Sequence, residues 1–244
     1  MKSTKRAELH LVDAAAANDS LTGPVEDYLK AIYALGRGTG AVATNDIAQR
    51  LLIAPASVSG MVRRLAEQGL LTYERYHGVK LTDRGRRAAL RTLRRHRIIE
   101  SYLSKALSYP WDRVHAEAER LEHAASDELV DRMASAIGEP AVDPHGAPIP
   151  SREGLVDETE YFPLAELGAG LGVRVVRVSD EDPEMLRYLA ELEITPGAEL
   201  LIVSKAPFAG PITLRIGSTL HSIGPSLAEQ VLVEPLIDLE APAH

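Results

Sequence analysis

Between Glu139 and Pro163 five prolines, at 140, 144, 148, 150 and 163, leave little room for a regular helix. This break separates two parts of the chain with different periodicities. Before it, apolar residues recur at helical spacing. After it, "VRVVRVSD" (173–180), "AELLIVSK" (198–205), "PITLRIG" (211–217) and "EQVLVEPL" (229–236) alternate as strands do. Between the first two of these, "PEMLRYLAELEI" (183–194) has the pattern of a short amphipathic helix. The fold class expected is therefore mainly α with a β-barrel module at its end. At 244 residues the chain exceeds one ordinary domain. The expected organisation is a flexible tail over 1–20, a first unit over 21–92, a helical unit over 93–139, a linker over 140–160 and the β module over 161–240.

The first unit has a recognisable order. Thr22-Gly23-Pro24 opens the helix "VEDYLKAIYALG", and Thr44 or Asn45 is placed to cap "DIAQRLL". "IAPASVSG" supplies a turn, and "ASVSGMVRRLAEQGLL" gives a helix with Val58, Met61, Val62 and Leu65 as its apolar stripe. Two short strands around His77-Gly78 follow, and then a long helix over about 83–107. Helix, helix, turn, helix, hairpin, helix is the order of a winged helix-turn-helix.

Charge supports the same reading. The net charge is −8, yet residues 60–97 carry eleven Arg/Lys against Glu67, Glu74 and Asp83. Residues 98–244 carry ten basic side chains against 26 acidic ones. An acidic chain with one concentrated basic block suits a polyanion, the alternative being a solvated Arg-rich helix face. In a helix-turn-helix the second helix enters the major groove by its N-terminal residues. Here Ser57 and Ser59 can donate to phosphates or bases, with Arg63 and Arg64 a turn later and Arg75 and Lys80 on the wing.

The stretch "VHAEAERLEH" (114–123) concentrates metal-ligand side chains. At about 100° per residue, Glu119 lies about 40° from His115, Glu122 about −20° and His123 about 80°. All four share one wedge, and Glu117 points away as a solvent-facing bystander. His96 and Glu100 repeat the i, i+4 spacing on the preceding helix. Such a set suits a divalent cation. A charged helix face with Arg113 and Arg120 as partners is the alternative.

There is no cysteine, so neither disulfides nor thiolate sites exist, which fits a cytoplasmic location. The N-terminus does not read as a signal peptide, and no run of 18 apolar residues is available to span a membrane. No H-E-x-x-H, paired E-x-x-H, P-loop or dinucleotide motif is present, so the chain is not expected to be an enzyme.

At this point the sequence resembles the diphtheria toxin repressor family of iron- and manganese-dependent bacterial repressors. The resemblance rests on "EDYLKAIYAL", "IAQRL", "KLTDRGRRAA", "RRHRIIESYL", "VHAEAERLEHAASDEL", "DPHGAPIP" and "LEITPGAEL". It implies an N-terminal winged helix-turn-helix, a helical dimerisation domain and a C-terminal SH3-like (FeoA-like) domain. It implies two metal ions per subunit. The primary site would be Asp27, Glu119, Glu122 and His123, and the ancillary site His96, Glu100 and His115. Side chains of the last domain complete the ancillary site in some members, here near Asp182 and Met185. A thioether is a poor substitute for an oxygen ligand, which leaves Glu181 and Glu184 as alternatives to Asp182.

Iron-responsive members carry Met and Cys where this chain has Asp27 and Glu119. Oxygen ligands suit Mn2+ better than thioether and thiolate do. Short manganese-type members have Glu in place of Lys30 and lack the third domain. The expectation is a manganese-sensing repressor, homodimeric on a palindromic operator in double-stranded DNA, controlling manganese homeostasis genes. An Fe2+-responsive regulator of iron uptake is the near alternative. A metal-dependent enzyme or metal-storage module is the alternative of another class, for which the basic block is unneeded.

Overall fold

A computed structural model describes residues 21–36, 40–74 and 78–236. The expected tail at 1–20, the wing residue Arg75 and the end of the β module past 236 lie outside the described residues. The chain forms two compact units, divided between Ala89 and Leu90.

The first unit holds α1 (Gly23–Leu35), α2 (Thr44–Arg50), α3 (Pro55–Glu67), β1 (Leu71–Glu74), β2 (Gly78–Leu81) and the start of α4 (Asp83–Leu107). Pro24 lies in the first turn of α1 and Pro55 in that of α3, where a missing N–H costs nothing. Leu29, Ile32, Ile47, Val58, Leu65, Leu70 and Val79 form one buried core. The α2–α3 turn places Leu52 at φ 54°, in the left-handed region, and leaves its side chain on the surface. β1 and β2 pair antiparallel, Leu71 opposite Leu81. Thr82 ties their end to α4: its hydroxyl donates to the Gly69 carbonyl at 2.8 Å and accepts from the Gly85 N–H at 3.1 Å.

The second unit holds the rest of α4, then α5 (Val114–Leu121), α6 (Asp127–Ala136), β3 (Phe162–Pro163), a 3-10 turn at Leu164–Glu166, β4 (Gly172–Val178), α7 (Pro183–Glu191), β5 (Glu199–Lys205), β6 (Ile212–Ile216), β7 (Thr219–Ile223), α8 (Pro225–Ala228) and β8 (Val231–Pro235). Ile98, Ile99 and Leu103 of α4 pack with Val114, Ala118 and Val130 as a helical core. Ser126 caps α6, its Oγ accepting from the Leu129 N–H at 3.2 Å, so α5 and α6 are separate helices. Asp112, shortly before α5, accepts from Arg187 at 2.9 Å.

The structure adds detail to two expectations. Among the described residues the β module is one six-stranded antiparallel sheet in the order β3-β8-β4-β5-β6-β7, curled like a barrel but open between its edge strands. Irregular register between Val175 and Arg177 and between Ile202 and Ser204 bends it around α7, Leu186 and Leu189 of which complete its core. The segment 140–160, rich in proline, is not a free linker throughout. Asp143, His145 and Ala147 are buried, and the carbonyls of Pro148 and Pro150 accept from Arg97 and Arg94. Proline removes helical hydrogen bonds but does not prevent packing.

Candidate metal centre

In the second unit, α4 and α5 face each other with their His and Glu side chains between them. Two clusters result, and they meet at His96, which is 4% exposed. In the first, His96 Nδ1 lies 2.5 Å from Glu122 Oε2 and 3.7 Å from Glu119 Oε1. His123 Nε2 is 3.5 Å from Glu122 Oε1. In the second, His96 Nε2 lies 3.0 Å from Glu100 Oε1 and 3.1 Å from His115 Nδ1. His115 Nδ1 is in turn 3.3 Å from Glu100 Oε1 and 3.5 Å from Asp180 Oδ2. With metal bound, a proton on Nδ1 donated to Glu122 would leave the His96 Nε2 lone pair for the second cluster, an arrangement usual for a metal-ligating imidazole.

The fit to a cation can be tested on the protein alone. Glu100 is fully buried, and among the described residues its Oε2 has no hydrogen-bond partner. A buried carboxylate oxygen left over after its sister atom has taken two imidazoles is a vacant ligand position. The donors are imidazole nitrogen and carboxylate oxygen throughout, the set that Mn2+ and Fe2+ accept. The residues fit.

Electrostatics point the same way. Burial disfavours charge on His115, but the hydrogen bonds to Asp180 and Glu100 outweigh it and push the imidazole up to about 10. Burial would raise Glu100, but the charge on His96 and the bonds from His115 and His96 hold it down at about 2. Asp180, half-buried, is held well below the usual carboxylate range by His115. Without metal, protons on imidazole supply the positive charge that the carboxylates require.

Of the expected metal residues, the structure gathers His96, Glu100, His115, Glu119, Glu122 and His123 in this unit. Asp27 lies half-buried near the start of α1, just past its first turn, in the other unit. Asp182 lies outside these clusters. Its Oδ1 accepts from the Glu184 and Met185 N–H groups at 2.8 and 3.2 Å, capping α7. Met185 packs against the core of the β module. Asp180, two residues earlier, lies in the second cluster. The signal was legible: Asp182-Pro183 is a helix start with Pro at the first position, which commits Asp182 to capping. Glu117 accepts from Arg120 at 2.9 Å and joins neither cluster. Asp143 and His145 lie in a motif of the resemblance, but spacing along the chain assigns them no role. With Glu100 they form a third buried group.

In the first unit Ser57, Ser59, Gly60, Arg63 and Arg64 are exposed on α3, opposite buried Val58, Val62 and Leu65. A Cβ at Gly60 would meet nothing within 4 Å, so this face is open. Ser59 donates its hydroxyl to the Pro55 carbonyl at 3.3 Å. Lys80 is half-buried on β2.

A winged helix with an open Ser/Arg face, in a chain that also gathers His/carboxylate clusters, defines a metal-dependent DNA-binding regulator. Comparison with known proteins gives the family. Residues 20–79 match the iron dependent repressor N-terminal DNA binding domain, 82–151 its metal binding and dimerisation domain, and 162–235 the FeoA domain. The iron-dependent repressor IdeR of Mycobacterium tuberculosis (strain H37Rv) is 30% identical over 228 residues, 88% of this chain and 99% of IdeR. The HTH-type regulator MntR of Lysinibacillus sphaericus is 34% identical over 116 residues, 48% of this chain and 83% of MntR. Among solved structures, a manganese-dependent transcriptional repressor in complex with manganese is 40% identical, with a TM-score of 0.81, over 87% of this chain and 100% of that one. ScaR with bound Zn2+ is 30% identical, with a TM-score of 0.76, over 87% and 99%. The chain belongs to the iron-dependent (diphtheria toxin) repressor family, a family of transcriptional repressors and not of enzymes. Among the described residues no helix is long and apolar enough to cross a membrane.

Proposed function

We propose that this protein is a manganese-activated repressor that takes two Mn2+ per subunit and binds a palindromic operator as a homodimer, controlling genes of manganese homeostasis. The observation that carries this reading is the sulfur-free donor set. His96, Glu100, His115 and Asp180 offer one centre. Glu119, Glu122 and His123 offer another, to which the family resemblance adds Asp27. Thioether and thiolate ligands would favour softer ions; carboxylate and imidazole leave Mn2+ well served. The 40% identity with a manganese-dependent repressor supports the choice.

When bound, a divalent cation supplies fixed positive charge where the metal-free protein relies on protons. The chain's own groups do the rest. His96 gives its Nδ1 proton to Glu122 and so joins the two clusters. Ser57, Arg63, Arg64 and Lys80 take the phosphates and groove, and Arg75 is an expected wing contact. A two-fold dimer needs its recognition helices spaced to the DNA turn, about 34 Å or a multiple. Activation then requires higher metal affinity in the DNA-competent arrangement than in the others.

The 30% identity with IdeR along its whole length favours a second reading, an Fe2+-responsive repressor. One experiment separates them. Metal-stripped protein is mixed with sheared genomic DNA of its source at fixed salt, with Mn2+, with Fe2+ under anaerobic conditions, or with neither, and bound fragments are sequenced. Enrichment of a few palindromic sites with Mn2+ at micromolar levels supports the proposal. Enrichment with Fe2+ alone replaces it, and equal enrichment without metal overturns the switch.

A further inference from the structure

α3 is the helix that a helix-turn-helix lays in the major groove, and Gly60 lies in its interior. Glycine there weakens a helix, because it loses more backbone freedom on folding than any other residue. It is kept where the backbone needs a positive φ or where another group comes close. Within the chain Gly60 answers to neither. Its backbone is helical, and among the described residues a Cβ built on it would meet nothing within 4 Å. Gly36, Gly78 and Gly85 of the same unit are different. A Cβ on them would fall 2.7, 2.0 and 2.0 Å from the carbonyl oxygens of Gly40, Val42 and Leu70. Those glycines serve the fold. What Gly60 makes room for lies outside the chain.

Its neighbours say what that is. Gly60 is exposed on the side of α3 opposite Val58, Val62 and Leu65. Ala56 and Ser57 stand one turn before it on the same face, and Arg63 and Arg64 one turn after. All four are exposed. Ser59 turns its hydroxyl back to the Pro55 carbonyl at 3.3 Å. The reach of these side chains is graded. The two guanidinium groups sit on long stems and can meet phosphates on the groove walls from a distance. The Ala56 methyl and the Ser57 hydroxyl end close to the backbone, so they touch base edges only if the helix lies deep in the groove. A methyl at Gly60 would stand about 1.5 Å proud of this face. A hydrogen bond from Ser57 lengthened by about 1 Å is no longer a hydrogen bond.

We infer that Gly60 is a specificity-determining residue of the DNA-binding face. By lacking a side chain it seats α3 deep enough for Ala56 and Ser57 to read base edges. The group set against the Ala56 methyl is the C5-methyl of thymine, the apolar feature of the major-groove floor. Arg63 and Arg64 hold phosphates and fix the orientation of the helix. The inference rests on the proposed operator binding by α3, not on which ion activates it.

The test uses the full chain saturated with Mn2+ to select duplexes from a randomised library. The selected duplex and a random-sequence duplex of the same length are then titrated by fluorescence anisotropy at fixed salt. Gly60→Ala and Ala56→Gly are compared with the unaltered protein. Each is also tried on the selected duplex with uracil in place of thymine, which removes only the methyl groups. Gly60→Ala is expected to raise the unfolding midpoint by about 2 °C, because alanine is the better helix former. It is expected to weaken the selected duplex about 10- to 100-fold, the worth of a lost base contact, and the random duplex by less than about twofold. Uracil is expected to cost the unaltered protein about fourfold per contacted methyl, and Ala56→Gly almost nothing. If the unaltered protein selects no sequence with Mn2+ or Fe2+, the operator-binding reading fails and the inference with it. If it selects one and Gly60→Ala binds that duplex as before, the inference alone is overturned. Equal weakening on both duplexes would make Gly60 a matter of phosphate spacing, and a destabilised Gly60→Ala would give the glycine a role in the fold; either result overturns it. A uracil effect left unchanged by Ala56→Gly overturns the pairing of Ala56 with thymine.

Discussion

Binding at the second centre should release a proton, and the structure gives the pH range. His115 is pushed up to about 10, chiefly by its bonds to Asp180 and Glu100 against the cost of burial. At pH 7 the metal-free imidazole is therefore protonated, and a cation must displace that proton before taking the nitrogen. Removing a proton three units below its pKa costs about 4 kcal/mol. The second ion's affinity should rise about tenfold per pH unit, or about 100-fold from pH 6.5 to 8.5. This range lies above the one suggested by an unperturbed histidine, where dependence fades above about 6.5. Calorimetric titration with Mn2+ in buffers of different ionisation enthalpy counts the protons directly, and close to one per second ion is expected at pH 7.5. Asp180→Asn removes the first of the raising interactions, so proton release should shrink together with affinity. A second-ion affinity that does not change between pH 6.5 and 8.5 would refute the reasoning, because His115 would then enter the site already neutral.

Stability of the metal-free protein carries the same signature. The raised His115 contributes in full below about pH 6.5 and loses its contribution as pH rises toward 10; the depressed Asp180 contributes above about 3.8 and loses it in acid. Denaturant midpoints should therefore fall on the alkaline side between pH 7 and 10, and Mn2+ should remove that fall. Asp182→Ala removes the cap of α7 and should cost about 1 kcal/mol by chemical denaturation, with Mn2+ affinity unchanged. Arg63→Ala and Arg64→Ala should lower operator affinity similarly for all sequences and reduce the salt slope by about one for each phosphate no longer neutralised, read by fluorescence anisotropy across a salt series. Asp27→Ala should abolish metal-dependent operator binding with an unchanged circular dichroism spectrum; a variant still switched by Mn2+ would remove Asp27 from the ligand set.

Much of this protein is local and therefore legible in its sequence. The helix-turn-helix follows from caps, prolines and a 3.6-residue stripe, and its exposed Ser/Arg face is simply the complement of Val58, Val62 and Leu65. The crowding of His115, Glu119, Glu122 and His123 on one wedge is likewise set by helical geometry, and His96 and Glu100 share a face because they are one turn apart. What spacing along the chain could not decide was which distant groups meet those faces. Asp180 and Asp182 are equivalent in composition, and only the direction in which α7 starts turns one into a cap and brings the other 3.5 Å from His115. The prolines of 140–150 announced an absence of helix, but the burial of His145 depends on Trp111, α4 and β4 closing around it. Backbone propensities act over a few residues and are written where they act. A metal centre and its supports are built from side chains about 80 residues apart, and their distances exist only once the cores have packed.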